Sequence, residues 1–387
     1  MNDIDISLIK EKAAGCQAAQ MALLEKFCAI DCGSGDLAGN KTVVALVDQQ
    51  LEAIPGIRIT HFEDPTYGTA VVAVLGPDRP DGRIILNSHL DTVFKPGDCA
   101  AHPFRRDGDK AYGLGIADCK GGFAVSAYAV RLLLDLDWKP TRQIVMIYNP
   151  DEEVGSPFGE QVFAAQAAGA QAALVFEPAR DDDGIITSRK AAMRLTIRVT
   201  GRSAHSGVSY QAGRSAVVQL AHSIVSLYEH NDPARNIFFN PVTLDGGGRG
   251  LGVVPDEASV QVSVRIADES EVDYVKQVLD AVSRDIYVPD TTVECHITHV
   301  GTPMRRTAAN LRLFTLAQDL GRQIGLTISE QTTGGGSDAS FFSGMGIPSI
   351  DALGPHMYAM HSFDEALRVS SLPERTALAA ALLAHIA

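Results

Sequence analysis

Histidine and carboxylate residues recur just after short apolar segments of this sequence, and side chains of these types bind divalent metals. The positions are His89, Asp91, Asp118, Glu152, Glu153, Glu177 and His361. Imidazole nitrogens and carboxylate oxygens are common ligands of catalytic zinc. A metal held in this way can activate water and polarise a carbonyl group. The residue types therefore favour a metal centre assembled from distant parts of the chain.

His89 follows an apolar segment at residues 83–87 and precedes Asp91 by two positions. One ring nitrogen of His89 would bind a metal, and the Asp91 carboxylate would hold the other nitrogen. A His-x-Asp pair by itself is more typical of a surface turn, so the metal interpretation depends on the other positions.

Asp118 lies in a glycine-rich segment, residues 113–122, with the sequence Gly-Leu-Gly-Ile-Ala-Asp-Cys-Lys-Gly-Gly. A phosphate-binding loop is the competing interpretation. The segment lacks the Gly-Lys-Ser/Thr ending of such loops, and its glycines do not match dinucleotide-binding spacing. The sequence therefore favours a carboxylate that bridges two metals.

A run of three acids, Asp151 to Glu153, directly follows the apolar segment 143–148. Adjacent carboxylates repel one another, but a nearby dication turns that repulsion into attraction. Glu177 and His361 would supply further ligands. Each of these two residues alone is more typical of an ordinary polar position, so the argument rests on the whole set.

The segments between these residues predict an α/β fold. Apolar strands are expected at 70–75, 83–87, 143–148 and 173–176, with helices before and between them, and this alternation favours a mostly parallel sheet flanked by helices. Open sheets of this kind bind ligands beyond the carboxyl ends of their strands. The histidines and carboxylates follow those ends, so we expect them to converge.

A second domain is expected within the first. From residue 189 the pattern changes to strand, helix, two strands, helix and strand, which is typical of a ferredoxin-like α+β unit. After residue 302 the parallel-sheet pattern returns. We therefore predict one domain from residues 1–188 plus 303–387, interrupted by an inserted domain at 189–302.

Composition excludes several functional classes. The 387 residues are 45% hydrophobic, without an apolar run long enough to cross a membrane, so no membrane partner is expected. The net charge of −14 and the lack of a basic cluster argue against nucleic acid. The N-terminal residues do not form a secretory signal, which favours a cytoplasmic protein. The six scattered cysteines favour reduced, mostly buried thiols.

The motifs together resemble the co-catalytic zinc aminopeptidase and carboxypeptidase superfamily. That superfamily includes glutamate carboxypeptidases, acetylornithine deacetylase, succinyl-diaminopimelate desuccinylase, aminoacylase and peptidase T. The similarity extends from residue 70 to the C-terminus and is greatest to the glutamate carboxypeptidases. Its motifs are Ser-His-x-Asp-Thr-Val at 88–93, Gly-x-Gly-x-x-Asp-x-Lys-Gly-Gly at 113–122, Asp-Glu-Glu at 151–153, Glu177, Gly-Gly-x-Ser-Asp at 334–338 and His-Ser at 361–362.

The resemblance implies two Zn²⁺ ions per subunit, with Co²⁺ or Mn²⁺ able to substitute. Asp118 would bridge the ions, His89 and Glu177 would complete one site, and Glu153 and His361 would complete the other.

The resemblance also assigns catalytic roles. Glu152 would be the general base, Asp91 would orient His89, and the peptide bond after Asp118 would be cis. The inserted domain would act as a lid that carries His205 as an oxyanion donor. In similar dimeric enzymes this histidine reaches the partner subunit's site, so a homodimer through the lid is expected. A buried structural histidine is the competing interpretation of His205.

The implied reaction is hydrolysis of an amide bond next to a free carboxylate, in a small peptide or an N-acyl amino acid. Arginine suits carboxylate recognition, and the candidates are Arg249, Arg265 and Arg305. Asn240 matches a substrate-contacting asparagine of the glutamate carboxypeptidases. The family's Asn-Val-Ile-Pro stands here as Gly-Val-Val-Pro at residues 252–255, where the asparagine is missing.

Three alternatives remain open at this point. The first is an N-acyl-amino-acid deacylase such as acetylornithine deacetylase or succinyl-diaminopimelate desuccinylase. The second is a catalytically silent relative that uses the lid for binding. The third is a cysteine hydrolase centred on Cys119, although that residue has no histidine in its own loop.

Overall fold

A computed structural model describes residues 4–77, 82–180, 182–247, 250–268 and 270–387. The candidate residue Arg249 lies outside these ranges. The chain divides into two compact units. The first unit comprises Met1–Ser188, Met304–Thr333 and Ser337–Ala387, and the second comprises Arg189–Pro303 with Gly334–Gly336.

The strands and helices are numbered in chain order. The strands are β1 (Arg58–Asp64), β2 (Gly68–Leu75), β3 (Arg83–His89), β4 (Arg105–Asp107), β5 (Lys110–Tyr112), β6 (Gln143–Asn149), β7 (Ala170–Val175), β8 (Ile185–Arg189), β9 (Ala191–Thr200), β10 (Phe239–Gly246), β11 (Glu257–Ile266), β12 (Thr292–Val300), β13 (Glu330–Thr333), β14 (Ser349–Ile350), β15 (Met357–Tyr358) and β16 (Ala366–Arg368). The helices are α1 (Ile6–Cys28), α2 (Leu37–Glu52), α3 (Asp98–Ala101), α4 (Lys120–Asp135), α5 (Gly159–Gln166), α6 (Ala216–Glu229), α7 (Ser270–Arg284), α8 (Ala308–Ile324), α9 (Ala339–Gly344) and α10 (Ser371–Ile386).

The main sheet of the first unit has the order β1-β2-β6-β3-β7-β14. Strands β6, β3, β7 and β14 run parallel, whereas β1 and β2 form an antiparallel hairpin at one edge. The prediction of a mostly parallel sheet is confirmed for the strands that carry the candidate ligands. The edge strand β1 was not predicted, because its residues alternate between exposed and half-buried and give no apolar run.

Both faces of this sheet are covered. Successive residues of β3 point to opposite faces of the sheet, and Ile84 and Ile85 therefore belong to different hydrophobic clusters. Helices α1, α4, α8 and α10 pack together on one side, and α5 and α9 contact strands β6 and β7. Strands that are buried on both faces read as continuous apolar runs, which is why their positions were visible in the sequence.

Two smaller sheets lie in the first unit. Strands β15, β16, β5 and β4 form one of them, and β13 pairs with β8 in the other. Most of these strands have two or three residues, which is too short for a periodic pattern. They were not predicted, yet β15 lies three residues before His361.

The second unit has the order β9-α6-β10-β11-α7-β12, with its antiparallel sheet arranged β10-β11-β9-β12. Helices α6 and α7 pack against one face of this sheet and against each other. The predicted ferredoxin-like α+β fold is confirmed.

The bounds of the two units differ from the predicted domains at two places. Pro303 and Gly334–Gly336 group with the second unit, although the prediction included them in the outer domain. Gly334–Gly336 is tied to the second unit by Arg189, whose guanidinium donates to the carbonyl oxygens of Gly335 and Gly336 at 3.2 and 3.0 Å. None of the helices in the described ranges is long and apolar enough to cross a membrane.

Candidate metal centre

Asp118 lies between two histidines that are far apart in the sequence. One of its carboxylate oxygens, Oδ1, is 3.1 Å from Nε2 of His89, and the other, Oδ2, is 3.1 Å from Nε2 of His361. Each carboxylate oxygen therefore faces a different imidazole. This arrangement suits a carboxylate that binds one cation through each oxygen.

Two further carboxylates complete the cluster. Glu177 Oε1 lies 3.6 Å from Nε2 of His89, and Glu153 Oε2 lies 3.3 Å from Nε2 of His361. Potential ligand atoms of His89, Asp118 and Glu177 lie within 4.8 Å of one another, and so do those of Asp118, Glu153 and His361. The two groups share Asp118.

The parallel strands bring these residues together. His89 is the last residue of β3, Glu177 follows the end of β7 by two residues, and Glu153 lies in a short 3-10 helix after β6. These three strands are neighbours and their carboxyl ends share one sheet edge. Asp118 reaches the same edge from the loop that precedes α4.

A close approach of two backbones sets the position of Asp118. A Cβ atom added at Gly122 would lie 2.2 Å from the carbonyl oxygen of Phe176, so only glycine allows the start of α4 to meet the end of β7. The peptide bond between Asp118 and Cys119 is cis, as the resemblance implied.

Asp91 connects His89 to the acidic loop. The Nδ1 atom of His89 lies 3.0 Å from the Asp91 carbonyl oxygen and 3.3 Å from Oδ1 of the same residue. A carbonyl oxygen can only accept, so Nδ1 carries a hydrogen and Nε2 is the nitrogen that can bind a metal. The Asp91 carboxylate also accepts the backbone N–H groups of Glu152 and Glu153, at 3.0 and 3.1 Å, and the Ser34 hydroxyl at 2.6 Å.

The protonation states of the cluster depend on the short distances between its histidines and carboxylates. Hydrogen bonds to Asp118 and Glu153 raise the pKa of His361 to about 10. Burial alone would raise the pKa of Asp118, but the hydrogen bonds from His361 and His89 outweigh burial and lower it. Protonated imidazoles therefore balance the carboxylates when no metal is bound. A metal would take the place of those protons.

Glu152 has a different environment from Glu153. Burial, followed by the negative charge of Glu177, raises its pKa well above the usual value. A carboxyl group whose pKa lies closer to neutral pH is suited to exchange a proton during a reaction. Glu152 is absent from both groups of potential ligands.

Cys119 is also close to His89 and Glu177, but its thiol is engaged elsewhere. Its Sγ donates to the carbonyl oxygen of Phe176 at 2.9 Å. Burial raises the pKa of this thiol well above its ordinary value, so it stays protonated. A protonated, fully buried thiol is a poor nucleophile and a poor metal ligand, which argues against a cysteine hydrolase.

Glu365 is a supporting residue that the sequence did not reveal. Its carboxylate accepts backbone N–H groups of Gly115, Ala117 and Asp118 at 3.0–3.2 Å. Burial, followed by the negative charge of Asp118, raises its pKa to about 7. Glu365 holds the glycine-rich loop in place although it lies almost 250 residues further along the sequence. A single acidic residue four positions after His361 matches no motif, so the sequence did not indicate this role.

Asp338 supports the acidic loop in a similar way. Its carboxylate accepts the hydroxyl of Ser156, which follows the 3-10 helix that contains Glu152 and Glu153. Burial raises the pKa of Asp338 to about 7.

Among the other predicted site residues, Asn240 and Arg265 belong to the second unit and Arg305 belongs to the first. Asn240 on β10 is paired with Ser263 on β11, and Arg265 lies two residues further along β11. Both Asn240 and Arg265 therefore point to the sheet face opposite the helices, and both are exposed. Arg305 is an exposed residue of the first unit, and its backbone N–H donates to the Ser343 hydroxyl.

His205 is exposed, which contradicts the buried structural role considered above. Its Nδ1 accepts the backbone N–H groups of Gly207 and Val208 at 3.1 and 3.2 Å. Since Nδ1 accepts, the hydrogen of the neutral ring is on Nε2, which is then a donor.

The residues of the cluster fit metal ions. Nitrogen and oxygen ligands of two histidines and three carboxylates form two groups that share one bridging residue. Within the described part of the chain, Oε1 of Glu153 is buried and has no hydrogen-bond partner, so a cation would satisfy it.

Comparison with known proteins agrees with this geometry. A family model described as peptidase family M20/M25/M40 matches residues 85–385. Carboxypeptidase G2 of Pseudomonas sp. is 28% identical over 382 residues, which cover 97% of this chain and 91% of that protein. A putative succinyl-diaminopimelate desuccinylase of Mycobacterium tuberculosis is 26% identical over 361 residues, covering 87% of this chain and 92% of that protein.

Among solved structures, the aminopeptidase PepT of Bacillus cereus superposes with a TM-score of 0.79 at 19% identity, covering 96% of this chain and 98% of that one. At that identity the similarity establishes the fold. The family match includes every residue of the cluster from His89 to His361, and it spans far more than half of the 387 residues. The chain therefore belongs to peptidase family M20/M25/M40 and is a metallohydrolase of that family.

Proposed function

We propose that this protein is a di-zinc carboxypeptidase that hydrolyses the amide bond of a C-terminal acidic amino acid, as a glutamate carboxypeptidase does. The observation that carries the proposal is the position of Asp118, whose two oxygens face His89 and His361. Glu152, a half-buried carboxyl group with a raised pKa, belongs to the same acidic loop as Glu153.

His89 and Glu177 would hold one zinc ion with Asp118, and Glu153 and His361 would hold the other. Co²⁺ and Mn²⁺ accept the same nitrogen and oxygen ligands and could substitute. Bound zinc would supply Lewis-acid polarisation of the amide carbonyl and activation of water.

Glu152 would act as the general base and then as the general acid. Its carboxylate would take a proton from the attacking water and return a proton to the leaving amine nitrogen. The hydrogen bonds from the Glu152 and Glu153 backbones to Asp91 support this role, because they hold both side chains at fixed points of one loop. Asp91 would also keep His89 in the tautomer that binds zinc.

His205 would stabilise the negative charge that develops on the amide oxygen. Its Nε2–H is available as a donor because Nδ1 already accepts two backbone N–H groups. Asn240, Arg265 and Arg305 would bind the substrate carboxylate. Asn240 and Arg265 share one sheet face, which supports a joint role for those two residues.

The second unit would serve as a lid and as the surface of a homodimer. Helix α6 exposes Val218, Val225 and Tyr228. Val225 and Tyr228 follow Val218 by seven and ten residues, so the three side chains share one face of the helix. The edge strand β10 exposes Val242 and Leu244. An apolar patch next to an unpaired strand edge is typical of a surface that pairs with a second copy.

Relatives support a choice between two substrate classes. Similarity to carboxypeptidase G2 extends over 97% of the chain and favours a carboxypeptidase, which releases a C-terminal amino acid. Similarity to the putative desuccinylase over 87% of the chain favours the alternative, an N-acyl-amino-acid deacylase. A catalytically silent binding protein is less consistent with a complete ligand set and an intact Glu152.

A substrate panel tests the proposal. Zinc-loaded protein is incubated with peptides and N-acyl amino acids that end in Glu, Asp, Gln or Ala, and with acetylornithine and succinyl-diaminopimelate, and the freed amine is measured. Preference for C-terminal Glu or Asp is expected. Preference for acetylornithine or the succinyl compound would replace the proposal with the deacylase, and no hydrolysis of any substrate would contradict both.

A further inference from the structure

A cavity of about 620 Å³ opens in the first unit beside segments that lead to the metal ligands. Its lining includes Arg180 and Asp182 on one side, Gln331 and Thr332 on a second, and Tyr358 and Ala359 on a third. Every residue that lines it belongs to the first unit.

The chain connects this cavity directly to both metal groups. Arg180 is three residues after Glu177, and Ala359 is two residues before His361, so their Cα atoms lie at most about 11 and 7 Å from those of the ligands. The two segments are also joined to each other. Ala179 accepts a hydrogen bond from Met357 N at 3.2 Å and donates to Pro355 O at 2.9 Å.

Among the described residues that line the cavity, Arg180 has the only basic side chain. It is half-buried, and its guanidinium has no hydrogen-bond or ion-pair partner within the described ranges of the chain. A guanidinium without a protein acceptor is free to bind a ligand, and a carboxylate is the ligand that matches its planar N–H donors. The cavity therefore presents an unused site for an anion.

Asp182 does not compete for that role. Its Oδ2 accepts the Ser329 hydroxyl at 2.6 Å and the Gln331 side-chain amide, and its Oδ1 accepts the Gly184 N–H at 3.1 Å. The hydrogen bond from Ser329 is the main cause that lowers the Asp182 pKa. This carboxylate is thus satisfied by neutral donors and does not need the Arg180 cation.

We propose that Arg180 binds a carboxylate of the substrate in this cavity and thereby selects acidic substrates. The inference rests on the proposed function, and it adds a specificity residue from the first unit. Arg180 takes no part in bond cleavage, so its loss changes which substrates are used and leaves the metal groups intact.

Matched substrates that differ in one charge test the proposal. One pair is N-acetyl-glutamate and N-acetyl-glutamine, and the other is N-succinyl-alanine and its neutral succinamoyl analogue. Arg180→Gln is expected to lower kcat/KM for the acidic member of at least one pair by roughly 10- to 100-fold, the range of a charged hydrogen bond. The neutral members should change less than about 3-fold, and Arg180→Lys should recover part of the loss. Arg312→Gln, an exposed charge-matched change on α8, is the control.

A binding measurement separates this inference from the proposed function. Calorimetry of the metal-loaded protein with glutarate and with neutral glutaramide needs no turnover. Weaker glutarate binding in Arg180→Gln, by roughly 10-fold or more with unchanged zinc content, supports the inference even if wild-type protein cleaves none of the substrates. Equal effects on charged and neutral partners, or no effect on either, would overturn it. A preference for a cationic side chain that Asp182→Asn removes would also overturn it.

Discussion

At the scale of single residues, the central feature is that one carboxylate faces two imidazoles through different oxygens. Burial holds the Asp118 side chain in place but would by itself raise its pKa. The hydrogen bonds from His361 and His89 outweigh that effect and keep the carboxylate ionised. The pKa of Glu152 changes in the opposite direction, because burial and the charge of Glu177 raise it, which suits a group that takes up and returns a proton.

Replacement of Glu152 separates catalysis from metal binding. Glu152→Gln is expected to lower kcat by about 10²- to 10⁴-fold, the usual contribution of a general base, while both zinc ions remain bound. Turnover and zinc content by atomic absorption are the measurements. Glu160→Gln, an exposed change in the first turn of α5, is the matched control and should leave both unchanged. Loss of zinc in Glu152→Gln would mean that this residue is a ligand.

Zinc binding should depend on pH with a definite sign. The pKa of His361 is raised to about 10 in the metal-free protein, so its ring is protonated at neutral pH and zinc must displace that proton. Affinity for zinc should therefore rise with pH up to about 10. Calorimetry at pH 7 in two buffers with different ionisation enthalpies should reveal proton release.

The same shift has a consequence for folding. Since the pKa of His361 is raised, its pair with Asp118 stabilises the metal-free protein fully below pH ~6.5, the ordinary histidine value. This contribution is lost as pH rises through about 10.

The zinc-binding calorimetry has a control. His61→Gln, at an exposed histidine of β1, should leave proton release unchanged. Equal heats in the two buffers would contradict a protonated His361.

At the scale of elements, a partly buried charge network joins the segment before β8 to the C-terminal part of the chain. The Asp183 carboxylate accepts two hydrogen bonds from Arg368 at 3.0 Å each, and its carbonyl accepts one from Arg375 at 2.7 Å. Arg375 is 1% exposed. The segment that begins at Glu177 and ends in β8 is thereby held against β16 and α10.

Removal of the Asp183 charge should destabilise this arrangement. Asp183→Asn is expected to lower the free energy of unfolding by about 3 kcal/mol, because Arg375 would stay buried without its counter-charge. Burial alone would raise the pKa of Asp183, but hydrogen bonds from His356 and Arg368 and the Arg375 charge lower it. The contribution is therefore present above the ordinary aspartate pKa, near 4, and is lost as pH falls below it.

Urea unfolding at pH 7 and at pH 3 measures both effects. Asp319→Asn removes an exposed pair with Arg322 on α8 and should change stability by less than about 1 kcal/mol. A similar small change for Asp183→Asn would show that the network is not a source of stability.

At the scale of the whole molecule, the metal should link activity to stability. A chelator is expected to abolish amide hydrolysis and to lower Tm, because zinc binds the folded chain and stabilises it. Alkylation of thiols should leave most of the activity, since Cys28, Cys32, Cys99 and Cys119 are buried. Thermal scans and amine release, before and after zinc is restored, measure the effect. Full inhibition by alkylation with zinc still bound would favour a cysteine enzyme instead.

The oligomeric state is the second property at this scale. Val225→Asp places a charge in the centre of the exposed face of α6 and should shift the protein from dimer to monomer in sedimentation velocity runs. Leu8→Asp, at an exposed position of α1 in the first unit, is the control and should not change the mass. Monomeric wild-type protein at micromolar concentration would contradict a dimer through the second unit.

The sequence by itself determined the ligand types, the mostly parallel sheet and the inserted α+β unit. Strands such as β3 and β6 are buried on both faces, so they appear as apolar runs, and His89, Glu153 and Glu177 stand at or just after the ends of such strands. His89 and Glu177 could be named for this reason, whereas Asp118 was named from its glycine-rich segment.

Only the tertiary structure decided what those runs cannot encode. Glu365 acts across a long sequence separation, so no local pattern marks it. Asp338 ends a motif at 334–338, but that motif does not reveal that its partner is Ser156. The cavity around Arg180 forms where segments near residues 180, 331 and 358 meet, and the short strands β13 and β15 that line it are too short for a periodic pattern. The grouping of Gly334–Gly336 with the second unit depends on hydrogen bonds from Arg189. A sequence shows which side chains follow a strand. The distant groups that form hydrogen bonds with those side chains and their loops are set by how the strands pack.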